Sequence, residues 1–188
     1  MVLAPSTELI ERFSARCRRL GVAVHRAAPR SVPATVLELL RAAGTGSALV
    51  ADDLGAERDD LVRALDQAGI ALIAGRTPRE AEPAEAGVSR AAFAVAETGS
   101  LAVVGDDLQP CLATMLPPLH VALVDLERLY GTLDEAAAEI ERLMRPGADG
   151  TRCVSLVTGP SRTADVEKTL TVGVHGPRAL HVVLVGTE

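Results

Sequence analysis

The sequence predicts an α/β protein in which helices flank a Rossmann-like, mainly parallel sheet. Short apolar runs, at residues 48–51, 70–73 and 120–125, are the length of buried strands. Between them, segments such as 6–20 and 58–68 carry apolar residues every three or four positions, as amphipathic helices do. Alternation of such strands and helices is typical of βα units, whose strands pair in parallel.

Further signals place the other elements of the first two thirds of the chain. Ser31 is a candidate N-cap for a second helix, with Pro33 in its first turn. Residues 75–87 are polar and rich in Pro and Glu, and predict a surface loop. The apolar runs 93–96 and 101–104 are separated by four residues that include a Gly, which predicts a hairpin. Residues 110–118 are bounded by prolines and predict a single helical turn.

The last third begins with a helix and ends with two strands. Thr132 and Glu135 have the spacing of a capping box, which predicts a helix that ends before Pro146. We interpret the charged side chains of this helix as a solvated face: Asp134, Glu135, Glu139, Glu141 and Arg142. Residues 154–157 and 181–185 predict buried strands. The apolar run 182–185, near the C-terminus, is also interpreted as an edge strand that a second copy would cover, so a homodimer is a hypothesis.

Composition narrows the class of function. The chain has 188 residues, which fits one domain spanning residues 1–188. A net charge of −6 and an aromatic content of 2% argue against a nucleic-acid surface with stacking platforms. No apolar run approaches the roughly 18 residues that a membrane span needs, and the N-terminus lacks the pattern of a signal peptide. We therefore expect a cytoplasmic protein.

The cysteines predict neither a disulfide framework nor a metal site. Cys17, Cys111 and Cys153 are odd in number and far apart. Four thiolates are the usual ligands of an iron–sulfur cluster, so the chain is not expected to hold one by itself. We expect these cysteines to be small buried apolar residues, and no metal or other cofactor is predicted.

The segment that follows the strand 154–157 is dense in groups that bind anions. Gly159 and Pro160 predict a tight turn, after which a short helix would begin near Ser161 and Thr163. Free backbone N–H groups and hydroxyls at such a helix start, with the Arg162 guanidinium, would bind a carboxylate or phosphate. The alternative is that the hydroxyls only cap a helix while Arg162 pairs with an acidic neighbour, Asp165 or Glu167.

Three stretches of this sequence resemble a known family. AETGSLAVV at 96–104, TGPSRTADVE at 158–167 and VGVHGPRALHVVLV at 172–185 are similar to the LUD domain, in particular that of the lactate-utilisation protein C family. The resemblance implies a fold like that of ribose-5-phosphate isomerase and CoA transferases. It also implies a role in bacterial oxidation of L-lactate to pyruvate, beside iron–sulfur subunits.

Two residues are candidates for catalysis. Because a strand-end glutamate acts as a nucleophile in folds related to CoA transferases, the resemblance makes Glu97 a candidate; alternatively its carboxylate only fixes the turn or pairs with Arg162. His175, before Gly176, has the placement of a general acid or base on a loop, or else hydrogen-bonds the turn. The predicted anion site comprises Thr98, Gly99, Ser100, Gly159, Ser161, Arg162, Thr163 and Asp165.

Two hypotheses of function remain open. The first is an accessory or regulatory subunit of a lactate-oxidising system that binds a small anionic ligand. The second is an enzyme that acts on a phosphorylated or CoA-linked small molecule, with Glu97 or His175 as the reacting group. Both require residues 97–100 and 159–177 to line one site.

Overall fold

The structure is a computed structural model that describes residues 5–105, 108–145, 154–160, 162–164, 170–172 and 176–186. Its strands are β1 (Ala23–Ala27), β2 (Ser47–Val50), β3 (Ala71–Leu72), β4 (Ala86–Arg90), β5 (Phe93–Val95), β6 (Ser100–Val104), β7 (Leu119–Asp125), β8 (Leu129–Tyr130), β9 (Val154–Val157), β10 (Arg162–Ala164), β11 (Leu170–Val172) and β12 (Ala179–Val185). Its α-helices are α1 (Thr7–Arg19), α2 (Val32–Ala42), α3 (Glu57–Gln67), α4 (Pro78–Ala81), α5 (Leu108–Met115) and α6 (Leu133–Met144).

A six-stranded parallel sheet is the centre of the protein, as the sequence predicts. Its strand order is β1-β12-β7-β4-β2-β3. From β1 at one edge of the sheet, the chain crosses to β2 and then to β3 at the other edge. It then moves back towards β1 through β4, β7 and β12. The direction of the connections therefore reverses between the neighbours β2 and β4. In open α/β sheets such a switch point leaves a crevice at the carboxyl ends of the strands, where ligands bind.

A second, smaller sheet has the order β8-β5-β6-β9. Strands β5 and β6 form the predicted antiparallel hairpin, with Phe93 opposite Ala102. Strand β9 extends this hairpin along β6. The prediction of a buried strand at 154–157 is therefore right about the strand, but Ser155 and Leu156 are exposed because β9 lies at the edge of the small sheet.

The central sheet is buried on both faces. Along β7 and β12, Val121 and Val183 join a core with α2 and α3, whereas Ala122 and Val182 join a core with α1 and the small sheet. The outer face of the small sheet packs against α6. Successive side chains of a strand point to opposite faces of the sheet. The near-continuous apolar runs of β7 and β12 therefore contribute residues to both cores.

Gly87 allows α5 to lie directly on β4. A Cβ atom at this position would come within 1.8 Å of the carbonyl oxygen of Ala113. Only a residue without a side chain permits that approach of helix backbone to strand, so Gly87 fixes the distance between α5 and the sheet.

The helices predicted at 6–20, after Ser31, at 58–68 and after Thr132 are confirmed, and the capping box at α6 is present. The Glu135 N–H donates to Thr132 Oγ1 at 3.2 Å, and the Glu135 carboxylate accepts the N–H of Gly131 at 2.7 Å. Residues 110–118 form more than one turn, because α5 runs over eight residues. Within the described ranges, no helix combines the length and apolarity that crossing a bilayer requires.

Three predictions of local structure are wrong. Residues 75–87 are not only a surface loop, because they contain α4 and the start of the central strand β4. Arg162–Ala164 is a strand paired with Leu170–Val172 in a hairpin, where a short helix was predicted; Thr163 and Thr171, β-branched residues that favour strands, are opposite each other. Strand β12 lies between β1 and β7, so 182–185 is not an edge, and that argument for a homodimer is lost.

Candidate functional site

A cleft of about 380 Å³ opens at the carboxyl ends of β2, β4 and β7, beside the switch point of the central sheet. The small sheet and α6 form its other side. Its lining combines six charged side chains with a small apolar strip: Asp53, Arg90, Asp125, Arg128, Glu139 and Arg142, then Ala91, Ala92, Val104 and Pro110. This volume lies within the usual range for small-molecule sites.

Asp53 lies on the floor of the cleft, in a 3-10 helix (Asp52–Leu54) that follows β2. The backbone N–H of Arg90 donates to Asp53 Oδ1 at 3.1 Å. Burial raises the pKa of Asp53 to about 6, although the N–H and the positive charge of Arg90 oppose that rise. Asp53 therefore exchanges a proton close to neutral pH.

Arg90 ends β4 and is held by two carboxylates. Its guanidinium forms an ion pair with Asp125 at the end of β7, and another with Glu57 of α3 at 3.1 Å. The Arg90 side chain is only 17% exposed. With two acidic partners, Arg90 fixes the floor of the cleft, and the charge that remains around it is negative.

The opposite wall carries excess positive charge. Glu139 of α6 accepts hydrogen bonds from Arg142 Nε at 2.8 Å, from Arg142 Nη2 at 2.6 Å and from Arg128 Nη1 at 3.2 Å. The hydrogen bond from Arg142 is the main reason why the pKa of Glu139 is lowered. Two guanidinium groups share one carboxylate, so this wall, which we call the arginine wall (Arg128, Glu139 and Arg142), has one positive charge in excess.

The arginine wall corrects one expectation from the sequence. Glu139 was interpreted as part of a solvated helix face, but its side chain is only 11% exposed because it lies against Arg128 and Arg142. Arg128 and Arg142 are themselves about half exposed, at 48% and 58%. Their guanidinium groups are therefore reachable by a ligand in the cleft.

The two walls suit a small acid with a second polar group. A ligand carboxylate would bind the arginine wall through charge-assisted hydrogen bonds. A hydroxyl or carbonyl beside that carboxylate would face Asp53. The apolar strip, with Ala92 and Val104, offers a surface for a short alkyl group.

The predicted residues Glu97, Thr98, Gly99 and Ser100 lie elsewhere. They form the turn of the β5–β6 hairpin, while Ala92 and Val104, at the hairpin's other end, line the cleft. Three to four residues of strand separate the two places, on the order of 10–13 Å at ~3.3 Å per residue. Glu97 is exposed, and its N–H donates to Gly131 O at 3.0 Å.

Part of the predicted site does come together at this turn. Ser100 Oγ and Thr158 Oγ1 are 2.6 Å apart, which puts residue 158 beside the hairpin. Gly99 and Gly159 both have backbone with positive φ, at 71° and 90°, and both lie against Leu20, the residue that follows α1. Thr98 Oγ1 is buried and has no hydrogen-bond partner in the part of the chain that the structure describes.

The rest of the predicted site lies outside the described residues. Ser161, Asp165 and His175 are not described, and for Arg162 and Thr163 only the backbone of β10 is described. The roles of these residues stay predictions.

Sequence reasoning did not find the cleft, although one signal was available. Asp53 and Asp125 stand at the carboxyl ends of two parallel strands, which is where ligands meet an α/β sheet. Arg90 could not be found in the same way, because the loop predicted at 75–87 takes in the start of β4 and no strand is predicted over residues 88–90.

Neither Cys17 nor Cys111 lines the cleft. Cys17 is buried in the α1 core, as predicted, and burial raises the pKa of its thiol to about 12. Cys111 is partly buried, and Cys153 lies outside the described residues. Within the described ranges no group of three or more His, Cys, Asp or Glu residues is placed to hold a metal ion.

Comparisons with known proteins agree on one family. A model of the LUD domain matches residues 10–185. Lactate utilization protein C from Bacillus pumilus is 25% identical over 97% of this chain and 80% of its own length. Lactate utilization protein C from Geobacillus thermodenitrificans is 33% identical, over 55% of this chain and 44% of its own.

A solved structure has the same fold. The crystal structure of a DUF162 family protein from Deinococcus radiodurans superimposes with a TM-score of 0.68 over 97% of this chain and 100% of that chain, at 19% identity. At that level of identity the likeness concerns the fold only.

Proposed function

The chain belongs to the LUD domain family, and from this we propose that it takes part in lactate utilisation by binding lactate or pyruvate in the cleft between Asp53 and the arginine wall. The relatives named lactate utilization protein C support a role in lactate utilisation. The charges of the cleft support a small carboxylic acid as the ligand. In this proposal the chain is an accessory or regulatory subunit, and iron–sulfur partner subunits carry the electrons.

The excess positive charge of the arginine wall is the observation that carries the proposal. Glu139 neutralises only one of the two guanidinium groups that it contacts. A ligand carboxylate would neutralise the excess positive charge. The planar guanidinium group of arginine can donate two parallel hydrogen bonds to the two oxygens of a carboxylate. Since Glu139 already holds Arg142 through two hydrogen bonds, less side-chain entropy is lost when a ligand binds.

The remaining groups of a three-carbon acid also find partners. The oxygen on the second carbon, a hydroxyl in lactate and a carbonyl in pyruvate, would meet Asp53. The methyl group would lie on the strip that includes Ala91 and Ala92. Each part of the ligand thus has a matching surface in the same cleft.

An enzymatic role is the second candidate, favoured by the raised pKa of Asp53. A carboxyl group that titrates near pH 6 in a cleft is suited to accept or donate a proton. Action of Glu97 or His175 on a phosphorylated or CoA-linked molecule is a separate proposal, because Glu97 lies at the turn beside Thr98 and Thr158 and not in the cleft.

Isothermal titration calorimetry with L-lactate and with pyruvate tests the binding proposal. Arg142→Ala should weaken binding of both acids about tenfold, because a charge-assisted hydrogen bond is lost. Arg145→Ala is the matched control: Arg145 is the residue directly after α6, pairs with Glu141 of that helix, and does not line the cleft. Equal effects of the two substitutions, or no binding by the unaltered protein, would refute the proposal.

A further inference from the structure

Asp53 is held in a fixed position in the cleft. The neighbouring Asp52 N–H donates to Gln109 Oε1 at 3.0 Å, and the Gln109 amide donates to Ala74 O at 2.7 Å. Leu54, on the other side of Asp53, is fully buried. These contacts anchor the backbone of the 3-10 helix on both sides of Asp53, and the Arg90 N–H holds its carboxyl group through Oδ1.

The carboxyl group of Asp53 keeps hydrogen-bonding capacity for a ligand. Oδ1 accepts the Arg90 N–H, and across the described ranges no side chain donates a hydrogen bond to Asp53. An ionised carboxylate only accepts hydrogen bonds, whereas a protonated carboxyl group also donates one. Only protonated Asp53 can donate to a ligand carbonyl, whereas ionised Asp53 accepts the stronger, charge-assisted hydrogen bond from a ligand hydroxyl.

We propose that Asp53 is the residue by which the cleft distinguishes an α-hydroxy acid from the corresponding α-keto acid, an inference that rests on the proposed function. The hydroxyl of the hydroxy acid donates its hydrogen to ionised Asp53. The carbonyl of the keto acid has no hydrogen to donate and instead accepts one from protonated Asp53. The arginine wall binds the carboxylate group, which both acids have. Asp53 is therefore the residue that contacts the group in which they differ, the hydroxyl or the carbonyl on the second carbon.

Asp53 is surrounded by charged groups that are paired with one another. Its pKa is raised to about 6, chiefly by burial. Arg90 is paired with Asp125 and Glu57, and Asp52 is paired with Arg58 at 2.9 Å. On the arginine wall, contact with Arg142 and Arg128 lowers the pKa of Glu139, which keeps that carboxylate ionised in this range.

The pH dependence of binding follows from these states. Between about pH 5 and about pH 7.5, the ionised fraction of a group with a pKa near 6 rises from about one tenth to nearly all. L-lactate should therefore bind more tightly at the higher pH, by up to about tenfold, and pyruvate, whose partner is the protonated fraction, more weakly by up to about thirtyfold. Opposite slopes for two acids of the same charge are the signature of the proposal.

The experiment is calorimetric titration of the full chain with L-lactate and with pyruvate at the two pH values. In Asp53→Asn the amide both donates and accepts at every pH, so both affinities should become constant within about twofold. Asp59→Asn is the matched control, because Asp59 is exposed on α3 and does not line the cleft; it should keep the opposite slopes. Circular dichroism at each pH checks that the proteins are folded.

The outcomes separate this inference from the proposed function. If neither acid binds at either pH, the proposed function fails and the inference with it. If both acids bind but their affinities change in the same direction with pH, or do not change, the inference fails alone. The same holds if Asp53→Asn keeps the opposite slopes. The comparison of the two acids on the unaltered protein needs no substitution, so it decides the question even if Asp53→Asn does not fold.

Discussion

Arg90 and Asp125, the last residues of the neighbouring parallel strands β4 and β7, form an ion pair at the edge of the cleft. Glu57 of α3 contacts the same guanidinium at 3.1 Å. This arrangement ties three separate elements together at the carboxyl end of the sheet. The floor of the cleft is therefore part of the folded framework, while the arginine wall on α6 remains accessible to a ligand.

Arg90→Met should destabilise the protein by about 2 kcal/mol, because it leaves two partly buried carboxylates without their cation. Urea unfolding followed by circular dichroism measures this loss. Arg63→Met is the control, since Arg63 and its partner Asp60 are both largely exposed; such pairs contribute about 0.5 kcal/mol or less. Equal losses in the two variants would show that the Arg90 pairs do not stabilise the fold.

Gly87→Ala should destabilise the protein by about 3 kcal/mol, because the new Cβ would overlap the backbone of α5 at Ala113. Gly46→Ala provides the comparison: its Cβ would meet only a Glu85 carboxylate oxygen, at 3.6 Å, an ordinary contact. Thermal unfolding of both variants measures the difference. A Gly87→Ala protein as stable as Gly46→Ala would mean that α5 does not pack on β4 as described.

His120 should make stability depend on pH below neutrality. It is buried in β7, with Nε2 at 2.9 Å from Ser89 Oγ, and burial lowers its pKa from about 6.5 to about 4. Between these values the unfolded chain binds a proton that the folded protein does not, so stability falls as the pH falls from about 6.5 to about 4. The contribution of this group over that range is about 3 kcal/mol.

The measurement for His120 is urea unfolding of the unaltered protein and of His120→Gln across that pH range. Glutamine does not titrate and can still hydrogen-bond Ser89, so the difference in stability between the two proteins isolates the histidine. The difference should shift by about 3 kcal/mol in favour of His120→Gln as the pH is lowered. A constant difference would contradict a neutral, buried His120.

Glu97→Gln tests whether the ligand binds at the hairpin turn. Because Glu97 lies at the opposite end of the β5–β6 hairpin from Ala92 and Val104, the substitution should change the affinity for L-lactate and pyruvate by less than about twofold. A loss of tenfold or more, with an unchanged circular dichroism spectrum, would move the ligand from the cleft to the turn.

The sequence predicts those parts of the fold in which local pattern and burial agree. The apolar stripe of α1, which includes Phe13 and Cys17, can be predicted from a few neighbouring residues. The same is true of the apolar run of β7. Strand β4 is not, because Gly87 and Ser89 replace apolar residues where α5 and His120 come close. Its pattern reflects neighbours that are distant in sequence.

The cleft could not be predicted from the sequence for a similar reason. Asp53, Arg90 and Arg142 come from three elements, and only the strand order β7-β4-β2 together with the position of α6 brings them to one cleft. On its own helix, Glu139 is indistinguishable from a solvated residue, since Arg128, which covers it on the same wall of the cleft, lies before α6. Chemistry assembled from separate elements leaves no compact motif in the sequence.

A crystal structure of the protein with pyruvate tests the central claim most directly. The ligand carboxylate should lie within hydrogen-bond distance of Arg142 and Arg128, and the ligand carbonyl should face Asp53. Pyruvate bound instead at the turn beside Thr98 and Thr158 would contradict binding in the cleft, as would an empty cleft at a ligand concentration that saturates binding in solution.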